Sequence, residues 1–386
     1  TDGMLEEAFR RMPAADIFAQ TGIQFMQINT LYQLLAMSLQ KSSLLDAAKT
    51  FVTVPDLFNY WLSGEITNEF TNATTTQCFN PRKRDWANPV LRALGIPTHL
   101  FGPVTDSGTA IGMLLPRVAE ETGASGVRIV LPACHDTGSA VVAIPTQEQD
   151  FAWISSGTWS IMGAEVSEPH VDERALQYNF TNEGGVFGTW RLSKNIMGLW
   201  LVQECRRAWS HQGQEISYDE ITRLASESEP FLAIIDPDFE GFLHPGDMPS
   251  RIQEYCADTN QTVPQTKGQI VRIALEGIAL KYRLVLERLE ELTGKRLDPI
   301  HIIGGGTKNR LLNQFAADAS CRTVITGPVE ATAIGNILMQ AIGRKHLNSL
   351  AEAREVVHTS FRPDVYEPQK NTDWDEAYSR LQKVMK

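Results

Sequence analysis

The chain has 386 residues, of which 42% are hydrophobic, and it carries a formal net charge of −11. This length allows two domains, and the apolar content is sufficient for packed cores. The acidic balance, without any run of lysine or arginine, argues against nucleic acid or an anionic membrane as a partner. No apolar segment approaches the roughly 18 residues of a membrane span, and no leader-like sequence opens the chain, so we expect a cytoplasmic protein.

Cysteine usage argues against a disulfide framework and against a zinc site. The cysteines are odd in number and widely spaced, and none belongs to a Cys-x-x-Cys pair. We therefore expect buried free thiols. The chain opens with Thr1 rather than with methionine, from which we expect a processed start or a fragment.

The first 130 residues are predicted to be mainly helical. Apolar residues recur at helical spacing through residues 4–63, and a short helix is expected at residues 86–94. Between them, residues 67–77 are dense in hydroxyls and amides and have no helical period, which predicts an irregular segment or an edge strand. Such a run is equally typical of a polar-ligand site and of a solvated loop.

An acid follows the first strongly apolar strand. Residues 127–131 are predicted to be that strand and residues 139–144 a helix of small residues, with Asp136 in the turn between them. Open α/β sheets build their sites at the carboxyl ends of strands, so Asp136 is a catalytic candidate. The alternative is that Asp136 caps the helix, which is a frequent role of aspartate.

A polar hairpin tip lies about twenty residues further on. Residues 151–154 and 159–162 are predicted to pair, with a tip that contains Ser155, Ser156, Gly157 and Thr158. Its hydroxyls and amides form a neutral cradle that suits phosphate oxygens. An acid and a phosphate cradle suggest phosphoryl transfer, and we expect both to face a common cleft. A serine hydrolase is a weak alternative, because no Gly-x-Ser-x-Gly elbow is present.

The next segment is predicted to contain two strands and one helix. The strands are expected at residues 176–180 and 186–192, around a turn at residues 182–185, and the helix at residues 193–210. Asn195 and Gln203, eight residues apart, would lie within a quarter turn of each other on this helix. They could contact a ligand, or both could be surface amides.

The last third alternates strands and helices. Residues 266–293 are predicted to be a long helix, and a buried strand at residues 299–303 leads through a glycine turn at residues 304–306 into a helix at residues 309–319. A strand at residues 323–325 and a helix at residues 330–342 complete a parallel or mixed sheet covered by helices. The glycine turn matches neither a Walker A loop nor Gly-x-Gly-x-x-Gly. It is either a plain tight turn or a place where a ligand approaches the backbone.

Several strings occur in the order seen in FGGY carbohydrate kinases, and the chain resembles that family over nearly its whole length. They are Ala-Cys-His-Asp-Thr-Gly-Ser-Ala (133–140), Ser-Ser-Gly-Thr-Trp-Ser (155–160), Thr-Asn-Glu-Gly-Gly (181–185), Lys-Asn-Ile-Met-Gly-Leu-Trp (194–200) and Ile-Gly-Gly-Gly-Thr-Lys-Asn (303–309). The resemblance implies an α/β, actin-like (ribonuclease H-like) fold with two domains. It further implies a sugar-binding part at residues 1–133, a nucleotide-binding domain at residues 134–356 and a tail at residues 357–386. Family members begin with an Asp-x-Gly phosphate loop that has no counterpart here, so we expect the first domain to be incomplete.

The same resemblance implies the activity and the site residues. It implies transfer of the γ-phosphoryl group of ATP to O1 of L-rhamnulose, with Mg²⁺ required but no metal ligand assigned. Another ketose, such as xylulose or fuculose, or nucleotide binding without catalysis, are the alternatives. The implied roles are a base, Asp136, ketose contacts from His135, Thr137 and Asn195, and nucleotide contacts from Thr158, Gln203, Gly305 and Asn309.

Overall fold

The computed structural model describes residues 1–369 and 373–385, and the chain forms two compact units. Unit 1 consists of Thr1–Gln147, Ala164–Lys194 and Ala331–Ser360, and unit 2 of Glu148–Gly163, Asn195–Glu330 and Phe361–Lys386. The domain boundaries after residues 133 and 356 that the family resemblance implies stay a prediction.

Helices occupy much of both units. Within the described residues they are α1 (Met4–Arg11), α2 (Ala14–Thr21), α3 (Thr30–Leu39), α4 (Ser43–Ala47), α5 (Val54–Ser63), α6 (Phe70–Thr75), α7 (Asn88–Ala93), α8 (Pro116–Thr122), α9 (Asp136–Val142), α10 (Glu173–Gln177), α11 (Trp200–His211), α12 (Tyr218–Ser226), α13 (Met248–Asp258), α14 (Lys267–Thr293), α15 (Arg310–Ser320), α16 (Ala331–Gly343), α17 (Leu350–Ser360) and α18 (Asp373–Val384).

In the part of the chain that the structure describes, the strands form one large sheet and three small ones. The strands are β1 (Asn68–Glu69), β2 (Phe79–Asn80), β3 (Asp85–Trp86), β4 (Val104–Thr105), β5 (Ala110–Met113), β6 (Arg128–Val130), β7 (Ala152–Ser156), β8 (Trp159–Val166), β9 (Thr181–Gly184), β10 (Trp190–Met197), β11 (Ile300–Ile303), β12 (Val324–Thr326) and β13 (Val365–Tyr366). The large sheet has the order β13-β12-β11-β7-β8-β10-β9. Strand β11 is parallel to β7 and β12, whereas β13 and β9 pair antiparallel, so the predicted mixed sheet is confirmed.

The long helix and the strands around it follow the sequence closely. Helix α14 begins after Thr266, whose hydroxyl accepts a hydrogen bond from the Gln269 amide at 3.2 Å while the Gln269 side chain accepts from the Thr266 amide at 3.1 Å. This reciprocal cap fixes the start of the helix, and Gly294 ends it. Most residues of α14 are buried in unit 2, and its apolar residues extend beyond a single face of the helix.

The structure corrects the prediction for residues 67–77, because more than half of the segment is helical. Asn68–Glu69 forms strand β1, and Phe70–Thr75 forms helix α6. The hydroxyls of Thr74, Thr75 and Thr76 donate to backbone carbonyls three residues earlier, at 2.9, 2.8 and 2.6 Å. Threonine side chains that bond back to the helix satisfy their own polar groups. A hydroxyl-rich run can therefore form a buried helix without apolar periodicity.

The structure also corrects the prediction for the strand before Asp136. Strand β6 lies at the expected position, but it pairs antiparallel with β5 in a two-stranded sheet rather than joining the large sheet. Asp136 consequently does not follow a strand of the large sheet, and it is instead the first residue of helix α9.

The prediction for residues 176–210 is wrong in three respects. The first expected strand, at residues 176–180, begins within α10. Most of the expected turn at residues 182–185 belongs to strand β9. Strand β10 includes residues 193–197, where the helix expected at residues 193–210 should begin. The Asp172 side chain accepts from the Ala175 amide at 2.8 Å and caps α10, which outweighs the apolar content of the segment. Asn195 therefore lies on β10 and Gln203 on α11, and they do not share a helix.

An aromatic core in unit 1 holds α6 against the β9–β10 hairpin. The ring of Phe70 lies 5.8 Å from that of Phe79 and 5.4 Å from that of Trp190, edge to face in both cases. A Cβ atom added to Gly184 would lie 2.5 Å from the Phe70 ring. This close approach needs glycine at position 184 and fixes the hairpin relative to α6.

Candidate functional site

The loop that leads into α9 is anchored through its backbone to α6. The Cys134 amide donates to the Glu69 carboxylate at 3.0 Å, and the His135 amide donates to the Thr71 hydroxyl at 3.1 Å. Both acceptors come from the hydroxyl-rich segment at residues 67–77. That segment is therefore a scaffold for the loop rather than a solvated surface.

Glu69 is the centre of this scaffold. Its carboxylate is fully buried and accepts hydrogen bonds from the hydroxyls of Thr71 at 2.6 Å and Ser107 at 2.5 Å, besides the amides of Asn72 and Cys134. Burial raises the pKa of Glu69, and the hydrogen bonds from Ser107 and Thr71 oppose that rise. A buried carboxyl group with this many donors holds its neighbours in one geometry.

Asp136 presents an exposed carboxylate at the start of α9. Its Oδ1 accepts from the Thr137 amide at 2.7 Å, while the side chain as a whole is 77% exposed. The N-cap residue of α9 is His135. Asp136 therefore does not have the capping role that the sequence analysis gave as its alternative. An anionic side chain in the first turn is favoured by the helix dipole. The carboxylate is thus held at one oxygen and accessible at the other.

The His135 ring lies between Asp136 and a buried ion pair. Its Nε2 faces Oδ1 of Asp136 at 3.4 Å, and its Nδ1 lies 2.9 Å from an Arg191 nitrogen and 3.2 Å from Glu183. Arg191 is fully buried, pairs with Glu183 at 3.1 Å and donates to the Gly184 carbonyl at 3.0 Å. The two charged residues face each other across the β9–β10 ladder, where opposite charges attract.

Sequence reasoning missed Glu183 and Arg191. The expected turn at residues 182–185 hid the ladder, because Glu183 opposes Arg191 only when β9 includes residue 183. The available signal was opposite charges about eight residues apart on either side of a glycine pair. In a hairpin such residues can lie directly across from each other.

We expect Glu183 to contribute to stability in a pH-dependent way. Burial alone would raise the pKa of Glu183, but the charges of His135 and Arg191 outweigh it and lower the pKa from 4.5 to about 2. Below pH 4.5 the unfolded chain therefore takes up a proton that the folded chain takes up only near pH 2. The advantage of the wild-type chain over Glu183→Gln in free energy of unfolding should be about 3 kcal/mol or more at neutral pH and shrink as the pH falls through this window.

Urea unfolding of both chains between pH 7 and pH 3 measures this difference. Glu168→Gln, at an exposed position of the same unit, is the control and should change the free energy of unfolding by no more than about 0.5 kcal/mol. An advantage that stays constant down to pH 3 would contradict the prediction.

Helix α16 crosses α9 at very close range. A Cβ atom on Gly335 would overlap the backbone carbonyl of Ser139, so only glycine permits the crossing. One turn earlier, the Thr332 hydroxyl donates to the Asp136 carbonyl at 3.3 Å. The start of α9, and with it Asp136, is therefore held by α16 as well as by α6.

A cavity of about 550 Å³ in unit 1 adjoins Asp136. This volume lies in the range of small-molecule sites. Its lining combines hydroxyls and amides with apolar side chains, among them Pro55, Phe58, Asn59, Ser139, Thr332, Asn336 and Gln340. Thr137, by contrast, is buried in α9, and its assignment to the ketose stays a prediction.

A second cavity, of about 540 Å³, lies in unit 2. Gln203, Gly305 and Asn309 all line it, together with Gly157 of the hairpin tip. The structure thus brings together three of the four residues that the family resemblance implies for the nucleotide. Thr158 is exposed at the tip next to Gly157, and Asn195 is half-buried on β10. These assignments remain predictions.

The glycine turn before α15 has a structural reason for two of its three glycines. Gly304 adopts a φ of +86° and Gly306 packs so closely on the Ser156 side chain that a Cβ atom would overlap it. Of the three, only at Gly305 would an added Cβ atom meet nothing within 4 Å, and Gly305 lines the cavity. The packing against Ser156 explains why glycine is needed at positions 304 and 306. Close approach of a ligand therefore remains a possible reason for glycine only at position 305.

Another part of the cavity lining comes from α12, for which sequence reasoning assigned no helix. Tyr218, Asp219 and Thr222 line it. The available signal was the start of the helix, where the Ser217 hydroxyl accepts from the Glu220 amide at 3.1 Å. Ser-x-x-Glu is a recognised helix start, and it fixes which residues of α12 share a face.

We expect Gln203→Ala to weaken nucleotide binding about fivefold, because one hydrogen bond contributes roughly 1 kcal/mol. Calorimetric titration with ATP measures this change. Gln212→Ala, at the exposed end of the same helix, is the control and should bind ATP like the wild-type chain. Equal affinities in all three proteins would remove Gln203 from the nucleotide site.

The five cysteines are free and differ in accessibility. Cys78, Cys205 and Cys256 are buried, and Cys134 is partly buried. Burial raises the pKa of Cys134, that of Cys78 to about 12 and that of Cys256 to about 11. Cys321, at the end of α15, is exposed.

The residues present do not form a protein cage for a metal ion. Throughout residues 1–369 and 373–385, no three His, Cys, Asp or Glu side chains lie together in a way that could hold one. The Mg²⁺ that the family resemblance implies is therefore not matched by a ligand set in the described residues. Over the same residues, no helix combines the length and apolar character needed to cross a bilayer.

Comparisons with known proteins agree on one family. Residues 1–143 match the model of the N-terminal domain, and residues 152–344 that of the C-terminal domain, of the FGGY family of carbohydrate kinases. Rhamnulokinase of Bacteroides thetaiotaomicron is 41% identical over 98% of this chain and 77% of its own length, and that of Oceanobacillus iheyensis 40% identical over 95% and 76%.

Solved structures show the fold. Gluconate kinase from Lactobacillus acidophilus superposes with a TM-score of 0.78 at 18% identity, covering 99% of this chain and 75% of its own. Plasmodium falciparum glycerol kinase with ADP gives a TM-score of 0.77 at 16% identity, covering 100% and 77%. The predicted α/β, actin-like sugar-kinase fold is confirmed, while the incompleteness of the first domain stays a prediction. From the sequence relatives and the fold together, the chain belongs to the FGGY family of carbohydrate kinases.

Proposed function

We propose that this chain transfers the γ-phosphoryl group of ATP to O1 of L-rhamnulose. The observation that carries the proposal is the Asp136 carboxylate, which is 77% exposed yet held at Oδ1 by the Thr137 amide. A kinase base must be fixed in direction and must also be reachable by the substrate hydroxyl. The choice of sugar rests on the relatives named rhamnulokinase, which are 36–41% identical to this chain.

The proposed reaction transfers one proton to Asp136 and one phosphoryl group to the sugar. Oδ2 of Asp136 accepts the hydrogen of the sugar O1 hydroxyl as O1 attacks the γ-phosphorus. The O1–P bond forms, the bond between the γ-phosphorus and the bridging oxygen breaks, and ADP leaves with that oxygen. Aspartate is ionised at neutral pH and can accept the proton as the transition state forms.

The nucleotide is assigned to the unit 2 cavity. Its lining by Gln203, Gly305 and Asn309 supplies amide groups and one stretch of open backbone. We assign Thr158, at the neighbouring hairpin tip, to the phosphates. No step is assigned to Mg²⁺, which the phosphates of ATP would bring, as is usual in kinases. We also place the reaction in the cytoplasm, where ATP is available.

The test is a sugar panel with the purified chain. L-rhamnulose, L-fuculose and D-xylulose are each incubated with MgATP, ADP release is followed by a coupled assay, and the sugar phosphate is identified by ³¹P NMR. We expect L-rhamnulose 1-phosphate, with a kcat/KM at least about tenfold above that of the other sugars, since a contact to one group is worth about that factor.

Two outcomes would contradict the proposal. Preference for another ketose would support the kinase activity but contradict L-rhamnulose as its substrate. Binding of ATP in calorimetry without phosphorylation of any sugar would support a nucleotide-binding protein without catalysis.

A further inference from the structure

We propose that Arg191 and Glu183 are positioning residues that fix the ring hydrogen of His135 on Nε2, directed at the Asp136 carboxylate. The inference rests on the proposed function for its kinetic consequence, but its structural part stands without it. It concerns which nitrogen of one imidazole carries a proton, and which neighbours decide that.

The contacts of Nδ1 determine the tautomer. The nearest group to Nδ1 is Nη2 of Arg191, at 2.9 Å. A guanidinium can only donate, and it stays charged at any pH the protein meets. Nδ1 of a neutral ring must therefore accept, which places the ring hydrogen on Nε2.

The opposite tautomer is disfavoured at both nitrogens. A hydrogen on Nδ1 would be directed at the donor Nη2 of Arg191, at 2.9 Å. Oε2 of Glu183 also lies 3.2 Å from Nδ1, but it receives no hydrogen bond from the ring or from any other described residue. The lone pair on Nε2 would then face Oδ1 of Asp136 at 3.4 Å, where two electron-rich atoms repel. Arg191 thus favours the ring state that supports the Asp136 carboxylate.

Glu183 keeps Arg191 in place. Arg191 is fully buried, and a buried guanidinium needs a counter-charge. The Glu183 carboxylate supplies it at 3.1 Å from the opposite strand, and the Gly184 carbonyl accepts from Nε of Arg191 at 3.0 Å. Because hairpin and guanidinium are both fixed, the position of Nη2 relative to the ring is fixed too.

The consequence for catalysis concerns the two oxygens of Asp136. Oδ1 receives the Thr137 amide and faces Nε2 of His135. With Oδ1 held on two sides, the carboxylate cannot rotate freely, and Oδ2 stays directed at the substrate. Misplacement of a reacting group by about 1 Å can cost about a hundredfold in rate.

The first experiment is NMR of the full chain with ¹⁵N-labelled histidine, at a pH where the ring is neutral. His135→Gln identifies the signals of His135. We expect the Nε2–H tautomer in the wild-type chain and in Arg191→Lys, which keeps a donor. An Nδ1–H tautomer in the wild-type chain would overturn the proposal.

The second experiment removes donor and counter-charge together. Glu183→Gln/Arg191→Met leaves no unpaired buried charge, so it should fold. We expect it to lose the fixed tautomer and to lower kcat about 10- to 100-fold, with the ATP dissociation constant unchanged. Glu276→Gln/Arg272→Met removes a buried pair of α14, with a 2.7 Å contact, and should change neither the tautomer of His135 nor kcat.

The two claims can fail separately. A folded Glu183→Gln/Arg191→Met chain with the wild-type kcat would overturn the positioning role while L-rhamnulose phosphorylation stands. A wild-type chain that phosphorylates no sugar would end the proposed function, and the NMR experiment would still decide the ring state, because it uses no sugar.

Discussion

Asp136→Asn should lower kcat for sugar phosphorylation by at least about a hundredfold. The change removes the group that accepts the hydroxyl proton, and loss of a general base costs 10² to 10⁴ in rate. The substitution keeps the size of the side chain and a carbonyl oxygen that can accept from the Thr137 amide, so the fold should be retained. Steady-state kinetics with saturating ATP measures kcat, and calorimetry should show an unchanged affinity for ATP.

The matched control is Asp106→Asn. Asp106 is an exposed carboxylate of the same unit that pairs with Arg84 at 3.0 Å, and such surface pairs contribute little. Its kcat should equal that of the wild-type chain. An Asp136→Asn chain with more than about a tenth of the wild-type kcat would remove Asp136 from the role of base.

Gly335→Ala should lower the free energy of unfolding by at least about 2 kcal/mol, because a methyl group has no room where α16 crosses α9. The atom that it would overlap is a backbone carbonyl of Ser139, which cannot turn aside as a flexible side chain can. The helices must separate, and the start of α9 moves with them. Urea unfolding measures the loss, and kcat should fall as well because Asp136 is displaced.

Gly305→Ala is the control for this effect. An added Cβ atom at position 305 meets nothing within 4 Å, so the free energy of unfolding should change by no more than about 0.5 kcal/mol. If both alanine variants unfold like the wild-type chain, the helix crossing is looser than the structure indicates.

Strong local signals made much of unit 2 predictable. The capping pair of Thr266 and Gln269, the stop at Gly294 and the apolar run before the three glycines each have one physical meaning, and α14 and β11 appear where expected. The family resemblance then implied roles for Asp136, Gln203 and Gly305, and these roles stay predictions.

Other parts depended on long-range contacts that periodicity does not record. In helix α6 the threonine hydroxyls are satisfied by bonds to the backbone, and the buried carboxylate of Glu69 caps the helix, so its sequence resembles a loop. The β9–β10 hairpin depends on the register between Glu183 and Arg191 and on the packing of Phe70 against Gly184. Its charged residues became recognisable as part of the site only once the strands were paired.

The uneven accessibility of the thiols makes the native chain suitable for fluorescence work. A maleimide dye should react first at Cys321, since the other four cysteines are wholly or partly buried and a thiol reacts as thiolate. Cys321 ends α15, whose opposite end begins at the cavity that contains Gly305 and Asn309. One label, attached without engineering, could therefore follow ATP titrations in real time.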